Sequence, residues 1–251
     1  MLSNSIPTFL KALSKNNNKA WFDANRQQYE KAKSEFSNFI SDIIRGIGKF
    51  DQGIAALEAK NCIFRINRDV RFSKDKRPYK TNMAGYFNKD GKKGAGAGYY
   101  LHIEPGASFI AGGIWMPEPA TLTNIRQEID YNLKEFSKLL SAPGFKKYFP
   151  KGPDTSNMLQ RPPKGYNTDN PAIEYIRLKS FIVSKPFTDK ETASEGFEKE
   201  IGPVHALLRH AVGVVVEDHG ARHGAEHGRL ENRSRPDAGR GHRRGGSPAA
   251  R

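Results

Sequence analysis

The sequence has 251 residues, of which 37% are hydrophobic and 27% charged, a balance that indicates a globular protein and not a disordered chain. The one cysteine, Cys62, excludes an intramolecular disulfide and any metal site built from several cysteines. The formal net charge of +14 favours anionic partners such as nucleic acid, nucleotides or acidic surfaces.

The hydropathy of the chain and its first residues predict the cellular compartment of the protein. No apolar run approaches the roughly 20 residues that a membrane-spanning helix needs. The start of the chain, MLSNSIPTFLKAL, lacks a basic segment followed by a long apolar core, so no signal peptide is predicted. We therefore expect a cytoplasmic protein that has no membrane partner.

The first predicted elements are helices. Residues 6–14 form a short helical segment with Pro7 near its start, where proline is tolerated. A longer helix follows, because apolar residues recur at intervals of three and four until Gly46 and Gly48 end the pattern. The apolar face of this helix consists of Tyr29, Ala32, Phe36, Phe39, Ile40, Ile43, Ile44 and Ile47.

Five segments predict the strands of an antiparallel sheet. In residues 62–72, CIFRINRDVRF, apolar and polar side chains alternate, and Arg68 interrupts the apolar side where we expect a bulge or a strand end. Short connections favour antiparallel pairing. The strand at 108–116 is apolar on both faces and is therefore predicted to be central, whereas KDGKKGAGAG predicts a mobile loop. The other predicted strands are residues 82–88, 99–104 and 177–187.

Further helices are predicted after the central strand. One begins near Pro119 and ends at Pro143-Gly144, two shorter pieces surround a proline-rich loop, and a last helix begins near Glu191. Together these elements predict an α+β fold in which an antiparallel sheet of about four to six strands is packed by N-terminal and C-terminal helices.

The composition of the chain changes near residue 200. Every lysine lies at or before Lys199, whereas residues 201–251 hold nine arginines, no lysine and six of the seven histidines. No sustained apolar period follows Val216. We therefore expect one domain over residues 1–216 and, over residues 217–251, a tail that is disordered or of frame-shifted or foreign origin.

The densest group of functional side chains lies between Arg65 and Tyr79. If residues 62–72 form a strand, Arg65, Asp69 and Arg71 share one face, and guanidinium groups at that spacing hold a phosphate or carboxylate. An alternative interpretation is an internal ion-pair network that needs no ligand. The predicted anion ligands are Arg65, Arg68, Arg71 and Lys76.

Three residues are candidates for catalysis, namely Asp69, Tyr79 and His102. Asp69 is expected to orient the arginines, and Tyr79 or His102 to donate or accept a proton. His102, Glu104 and Asp69 also form a weak metal-ligand set, but a hydrogen-bonded pair of His102 and Glu104 is the simpler interpretation. We therefore predict no metal site, and the sequence indicates no particular cofactor.

The same segment resembles the signature of a known protein family. Its pattern, R-x-x-R-D-x-R-F-x-x-x-[DN]-K-x-x-Y, is similar to that of Domain of Unknown Function 2461. The blocks FLKALSKNNNKAWFDANRQQYE and GYYLHIEPGASFIAGGIWMPEP extend the resemblance over about residues 6–200. The resemblance implies a bacterial-type protein of one domain and implies no activity. The signature residues are Arg65, Arg68, Asp69, Arg71, Phe72, Asp75, Lys76 and Tyr79.

Three functions are compatible with these patterns. The first is a site, enzymatic or not, for a small molecule that bears a phosphate or carboxylate, built on the segment from Arg65 to Tyr79. The second is a nucleic-acid-binding module that adds Tyr99, Tyr100 and Trp115 to the basic face for base stacking. The third is a non-catalytic scaffold with a structural ion-pair network.

Overall fold

The fold of residues 2–198, which a computed structural model describes, is α+β, as predicted. The predicted boundary at residue 216 and the tail over 217–251 lie outside the described residues. Within the described part of the chain, no helix combines the length and the apolar character needed to cross a bilayer. The helices are α1 (Ser5–Lys15), α2 (Lys19–Ala24), α3 (Arg26–Ile47), α4 (Gln52–Ala55), α5 (Ala59–Cys62), α6 (Pro119–Tyr131), α7 (Leu133–Ser141), α8 (Pro143–Tyr148), α9 (Ile173–Ile176) and α10 (Asp189–Thr192).

Four strands form one antiparallel sheet in the order β1-β2-β3-β4. The strands are β1 (Met83–Phe87), β2 (Gly98–Ile103), β3 (Ser108–Ile114) and β4 (Phe181–Phe187). They confirm four of the five predicted strands, including the interior position of the apolar strand β3. The register places His102 between Ala84 of β1 and Phe109 of β3, so these three side chains share one face of the sheet.

The other face of the sheet is buried against helix α3. The predicted apolar stripe of α3 is confirmed, and it lies in one core with Phe87, Leu101 and Ile110 of the sheet. A Cβ atom added at Gly85 would lie 2.9 Å from Cδ1 of Ile40, which shows how closely α3 crosses β1. The helix predicted to run from Pro119 to residue 142 is two helices, α6 and α7, separated at Asn132.

The strand predicted at residues 62–72 is wrong. Helix α5 ends at Cys62, and residues 63–80, which we call the motif loop, form an irregular hairpin with only isolated bridges at Ile63 and Asn67. The outward arm pairs with a return arm that contains Pro78, which has no N–H group to donate to a ladder. The alternating side chains of this segment therefore belong to a loop, and Arg65, Asp69 and Arg71 do not share a strand face.

Substitution of Gly113 in β3 tests how closely β3 and β4 are paired. Its φ is +130°, and a Cβ atom added there would lie 1.9 Å from the carbonyl oxygen of Phe181 on β4. We expect Gly113→Ala to lower the free energy of unfolding by about 2 kcal/mol, which lowers the Tm by about 4–8 °C for a domain of this size. Thermal unfolding followed by circular dichroism measures the shift.

Gly46→Ala is the matched control for this prediction. Gly46 lies in α3, and nothing within 4 Å would meet an added Cβ atom. Alanine restricts the unfolded chain and favours the helix by about 0.5–1 kcal/mol, so this variant should melt at a higher temperature than the wild type. Equal Tm values for the two alanine variants would contradict the described pairing of β3 with β4.

Candidate functional site

The base of the motif loop is fixed to the N-terminal helices. Asn17 Nδ2 donates a hydrogen bond to the carbonyl of Tyr79 at 2.9 Å, and the N–H of Tyr79 donates to Asn17 Oδ1 at 3.1 Å. The ring of Tyr79 stacks on Phe22 with centroids 4.0 Å apart. Because Tyr79 is only 6% exposed, this predicted catalytic residue lies in the core and anchors the loop there.

The tip of the motif loop is held by its own charged side chains. Arg68 Nη1 donates to Asp75 Oδ2 at 2.7 Å and to the carbonyl of Arg77 at 3.2 Å. Arg77 Nη2 reaches the same carboxylate at 2.8 Å, and Lys76 Nζ donates to the carbonyl of Val70 at 3.0 Å. The hydrogen bonds from Arg77, and then that from Arg68, hold the pKa of Asp75 well below its usual range. Arg68 and Lys76, both predicted anion ligands, are thus bonded within the loop.

Asp69 and Arg71 form a separate pair on the loop surface. Arg71 donates to both carboxylate oxygens of Asp69, through Nε at 3.0 Å and Nη2 at 2.7 Å, and its side chain is 76% exposed. The neighbouring Phe72 is 96% exposed. Such an exposed ion pair contributes little to stability. Because the segment is a loop, Asp69 binds Arg71 at the tip and does not align it with Arg65 on a strand.

Two cations at the base of the loop, Arg65 and Lys80, form no ion pair with any carboxylate of residues 2–198. The hydrogen bonds from Arg71, and more weakly the charge of Arg65, lower the pKa of Asp69. Lys80 Nζ lies 5.5 Å from the ring centroid of Phe64. Burial, and then the charge of Arg65, lowers the pKa of Lys80. Lys80 therefore lies beside Phe64 in an environment that disfavours its charge.

The face of the sheet opposite α3 lines an open groove of about 780 Å³, which we call the sheet groove. Phe64 borders it at the β1 edge, where its N–H donates to the carbonyl of Ala84 at 3.0 Å. Asp154 borders it at the β4 edge through a 2.8 Å bond to the carbonyl of Ile182. The groove therefore spans the whole width of the sheet, and its aromatic lining consists of Phe64, Tyr86, Tyr100, Phe109 and Trp115.

A chain of hydrogen bonds lies under the sheet groove. The Tyr100 hydroxyl is 3.1 Å from His102 Nδ1, and His102 Nε2 is 3.0 Å from Glu104 Oε2. Thr81 donates to the other oxygen of Glu104. Burial raises the pKa of Glu104, but the hydrogen bonds from Thr81 and His102 bring the net pKa below its ordinary value. In the imidazole tautomer that carries its proton on Nε2, His102 donates to Glu104 and accepts the proton of Tyr100 at Nδ1.

Trp115 and Met116 form the end of the sheet groove after β3. Met116 has φ of +43°, a conformation that is uncommon for a residue with a side chain, and its N–H donates to Ser180 Oγ at 2.9 Å. Trp115 is 62% exposed and lines the groove. The strained backbone thus turns the chain so that a large aromatic side chain stays open to solvent beside the sheet, an arrangement found at functional sites.

A second groove, of about 640 Å³, adjoins the sheet groove, and we call it the basic groove. Phe64 and Lys92 line both grooves. The cations that line the basic groove are Lys33, Lys60, Arg65, Lys92 and Lys93, and no carboxylate of the described residues lines it. Among residues 2–198, no group of three His, Cys, Asp or Glu side chains is placed to hold a metal ion.

The predicted site residues therefore do not converge on one point. Arg65 lines the basic groove, and His102 is bonded to Tyr100, which lines the sheet groove. The other predicted anion ligands are at the loop tip. Tyr99, expected to stack a base, is in the core and donates to Asp51 at 2.9 Å, whereas Tyr100 and Trp115 do line the sheet groove. Neither Lys80 nor Phe64 is among the site residues predicted from the sequence. They come together because the motif loop returns to the edge of the sheet, a tertiary contact that the sequence pattern does not reveal.

A family model described as Conserved hypothetical protein (DUF2461) matches residues 5–212. The chain belongs to this family. The match contains all of the described helices and strands together with the motif loop. It also confirms the resemblance drawn from the signature segment. No curated protein and no solved structure matches the chain.

Asp75 of the DUF2461 signature tests whether the loop tip is held by its ion pairs. We expect Asp75→Asn to release Arg68 and Arg77 and to speed tryptic cleavage after Arg71 and Lys74 several-fold, measured by mass spectrometry of timed digests. Because the pKa of Asp75 is lower in the folded chain than its ordinary 3.8, the network stabilises the fold above pH 3.8. That stabilisation is lost only as the pH falls through the lower folded value.

Asp69→Asn is the control for this loop prediction. It removes the exposed partner of Arg71 and leaves the bonds of Arg68, Arg77 and Lys76 in place. Its cleavage rate should stay close to that of the wild type. Equal acceleration in both variants would show that the Asp75 network does not order the tip.

Proposed function

We propose that this protein binds a small molecule that combines a planar ring with a phosphate or carboxylate group. The observation that carries the proposal is the position of Arg65 and Lys80 next to each other beside Phe64, where neither forms an ion pair with a carboxylate of residues 2–198. Phe64 in turn lines an open, aromatic groove. Concave sites with an apolar lining and few convergent polar groups are typical of ligand pockets.

The anionic group of the ligand binds between Arg65 and Lys80. Burial, and then repulsion by Arg65, makes the charge of Lys80 unfavourable in the free protein and lowers its pKa. A phosphate or carboxylate relieves the repulsion and forms charge-assisted hydrogen bonds, for which the planar guanidinium of Arg65 is well suited. In this proposal Arg68 and Lys76 order the loop, and Arg71 is a surface residue outside the anion site.

The ring of the ligand lies on the open face of the sheet. Phe109 stacks on His102 with centroids 4.8 Å apart, and Tyr100 lies 6.3 Å from Phe64, so these rings form a continuous aromatic floor. Offset or edge contacts with such rings stabilise a planar ligand beyond the area they bury. The Tyr100 hydroxyl, bonded to His102, is the phenol available at the floor for a proton transfer, because Tyr79 is in the core.

Adenosine monophosphate is a suitable probe for this site, with adenosine and inorganic phosphate as its two halves. The chain has two tryptophans, so a Trp21→Phe background leaves Trp115 as the reporter of the sheet groove. We expect adenosine monophosphate to quench Trp115 and adenosine to bind at least tenfold more weakly, because charge-assisted hydrogen bonds contribute about 1.5–3 kcal/mol. Fluorescence titration measures both affinities.

Variants at the cations make the test specific. Arg65→Ala and Lys80→Met should each weaken adenosine monophosphate about tenfold and leave adenosine unaffected. Lys134→Met, an exposed lysine on α7, is the matched control and should change neither affinity. Equal affinities for adenosine and its monophosphate, or no loss in the two variants, would contradict the anion site.

Lys80→Met also has an expected effect on stability. The folded pKa of Lys80 lies below its ordinary 10.5, so the charged side chain destabilises the folded protein at every pH below that folded value. Methionine keeps the contact with Phe64 and removes this cost, and the Tm at pH 7 should therefore rise. The gain should disappear above about pH 10.5, where the lysine of the unfolded chain is also neutral. A lower Tm at pH 7 would show that the charge of Lys80 is already compensated.

A further inference from the structure

The basic groove carries more positive charge than one anionic group requires. Lys33 pairs with Glu30 at 3.2 Å, and Lys60 pairs with Glu58. Arg65, Lys92 and Lys93 have no carboxylate partner among the residues that the structure describes. Lys80, which lines neither groove, adds a cation 5.5 Å from the ring centroid of Phe64. A phosphate monoester carries a charge of only about −1.5 to −2 at neutral pH.

Lys92 and Lys93 are held in place by the loop that carries them. Asn88 is buried and donates from Nδ2 to the carbonyl of Ala95 at 3.1 Å and to that of Ala97 at 2.7 Å. These bonds close the loop around the turn Gly91–Lys93, and Lys92 Nζ donates to the carbonyl of Lys60 at 2.8 Å. The segment predicted to be a mobile loop is thus closed by these bonds, and Lys92 is held at the basic groove before a ligand arrives.

The two grooves meet at Phe64 and Lys92, which line both. A ligand whose ring lies on Tyr100 and whose first phosphate lies at Arg65 can extend into the basic groove, where Lys92 and Lys93 supply cations without an ion-pair partner among residues 2–198. Each additional phosphate would then replace repulsion among these side chains by attraction. The charge and the continuity of the grooves both favour a ligand with a chain of phosphates.

The β4 edge of the sheet groove carries a carboxylate. Asp154 lies at that edge, across the sheet from Phe64, and Glu118, which follows β3, also lines the groove. Four strands at about 4.8 Å spacing place the β1 and β4 edges about 14 Å apart. Carboxylates repel phosphate and accept hydrogen bonds from hydroxyl and amino groups. The groove therefore orients a ligand with phosphates at the β1 edge and with hydroxyl or amino groups at the β4 edge.

We propose that the ligand is a nucleoside di- or triphosphate, with the base on the aromatic floor, donor groups of the nucleoside toward Asp154 and Glu118, and the terminal phosphates in the basic groove. This inference rests on the proposed function and names the class of ligand for the same site. Lys92 and Lys93 are the residues that distinguish a polyphosphate from a monophosphate.

The experiment compares adenosine mono-, di- and triphosphate on the full chain with the Trp21→Phe change. Trp115 reports on the sheet groove, so anions bound elsewhere do not alter the signal. At constant ionic strength we expect the affinity to rise at each added phosphate and by at least tenfold from the mono- to the triphosphate. Inorganic triphosphate should compete with adenosine triphosphate but bind at least tenfold more weakly than it.

Lys93→Met is the informative variant, because Lys93 is exposed and lines only the basic groove. It should reduce the affinity for adenosine triphosphate several-fold more than that for the monophosphate. Lys134→Met on α7 should reduce neither, and the Tm of each variant verifies its folding.

Three outcomes would overturn the inference. Equal affinities for the three nucleotides would exclude a polyphosphate ligand and leave the anion site itself intact. Inorganic triphosphate that binds as tightly as adenosine triphosphate would exclude a role for the nucleoside. A single-stranded oligothymidine that binds more tightly than adenosine triphosphate at physiological salt would assign the grooves to nucleic acid. Absence of quenching by any nucleotide would instead contradict the proposed function.

Discussion

The burial of one face of the sheet by helix α3 is the constraint on which the remaining structure depends. Side chains alternate along each strand, so the contact of α3 with Leu101, Ile110 and Phe87 also decides that Tyr100, His102 and Phe109 face the other way. The cost of leaving these rings partly exposed is small beside the apolar area that α3 buries. One-sided packing thus creates both the core and the sheet groove.

The two edges of the sheet give the groove its electrical polarity. Each edge strand accepts a hydrogen bond from a loop, at Ala84 from Phe64 and at Ile182 from Asp154. Such contacts cover edge carbonyls that would otherwise be open to another chain. Because the first loop brings Arg65 and the second brings a carboxylate, the same backbone contacts that close the sheet place opposite charges on its two sides.

The charges of the motif loop divide into satisfied and unsatisfied groups. Asp69 and Asp75 each bind the arginine two positions later, so the tip neutralises itself over a few residues. At the base, Arg65 and Lys80 lie beside Phe64 and form no ion pair with a carboxylate of residues 2–198. A structural network and an anion site are therefore not exclusive interpretations of the signature, since the tip corresponds to the first and the base to the second.

The sequence by itself determined the α+β class, four strands and the apolar stripe of α3, because these depend on local periodicity and on turn residues next to each element. It also pointed to Arg65. The strand expected at 62–72 failed because alternation is local, whereas a ladder needs a partner, and the return arm contains Pro78. Only the tertiary structure decided that Tyr100 and not Tyr99 faces the groove, and that Lys80 joins Arg65 and Phe64. Those outcomes follow from which face α3 covers and from the clamp between Asn17 and Tyr79, contacts between residues far apart in the chain.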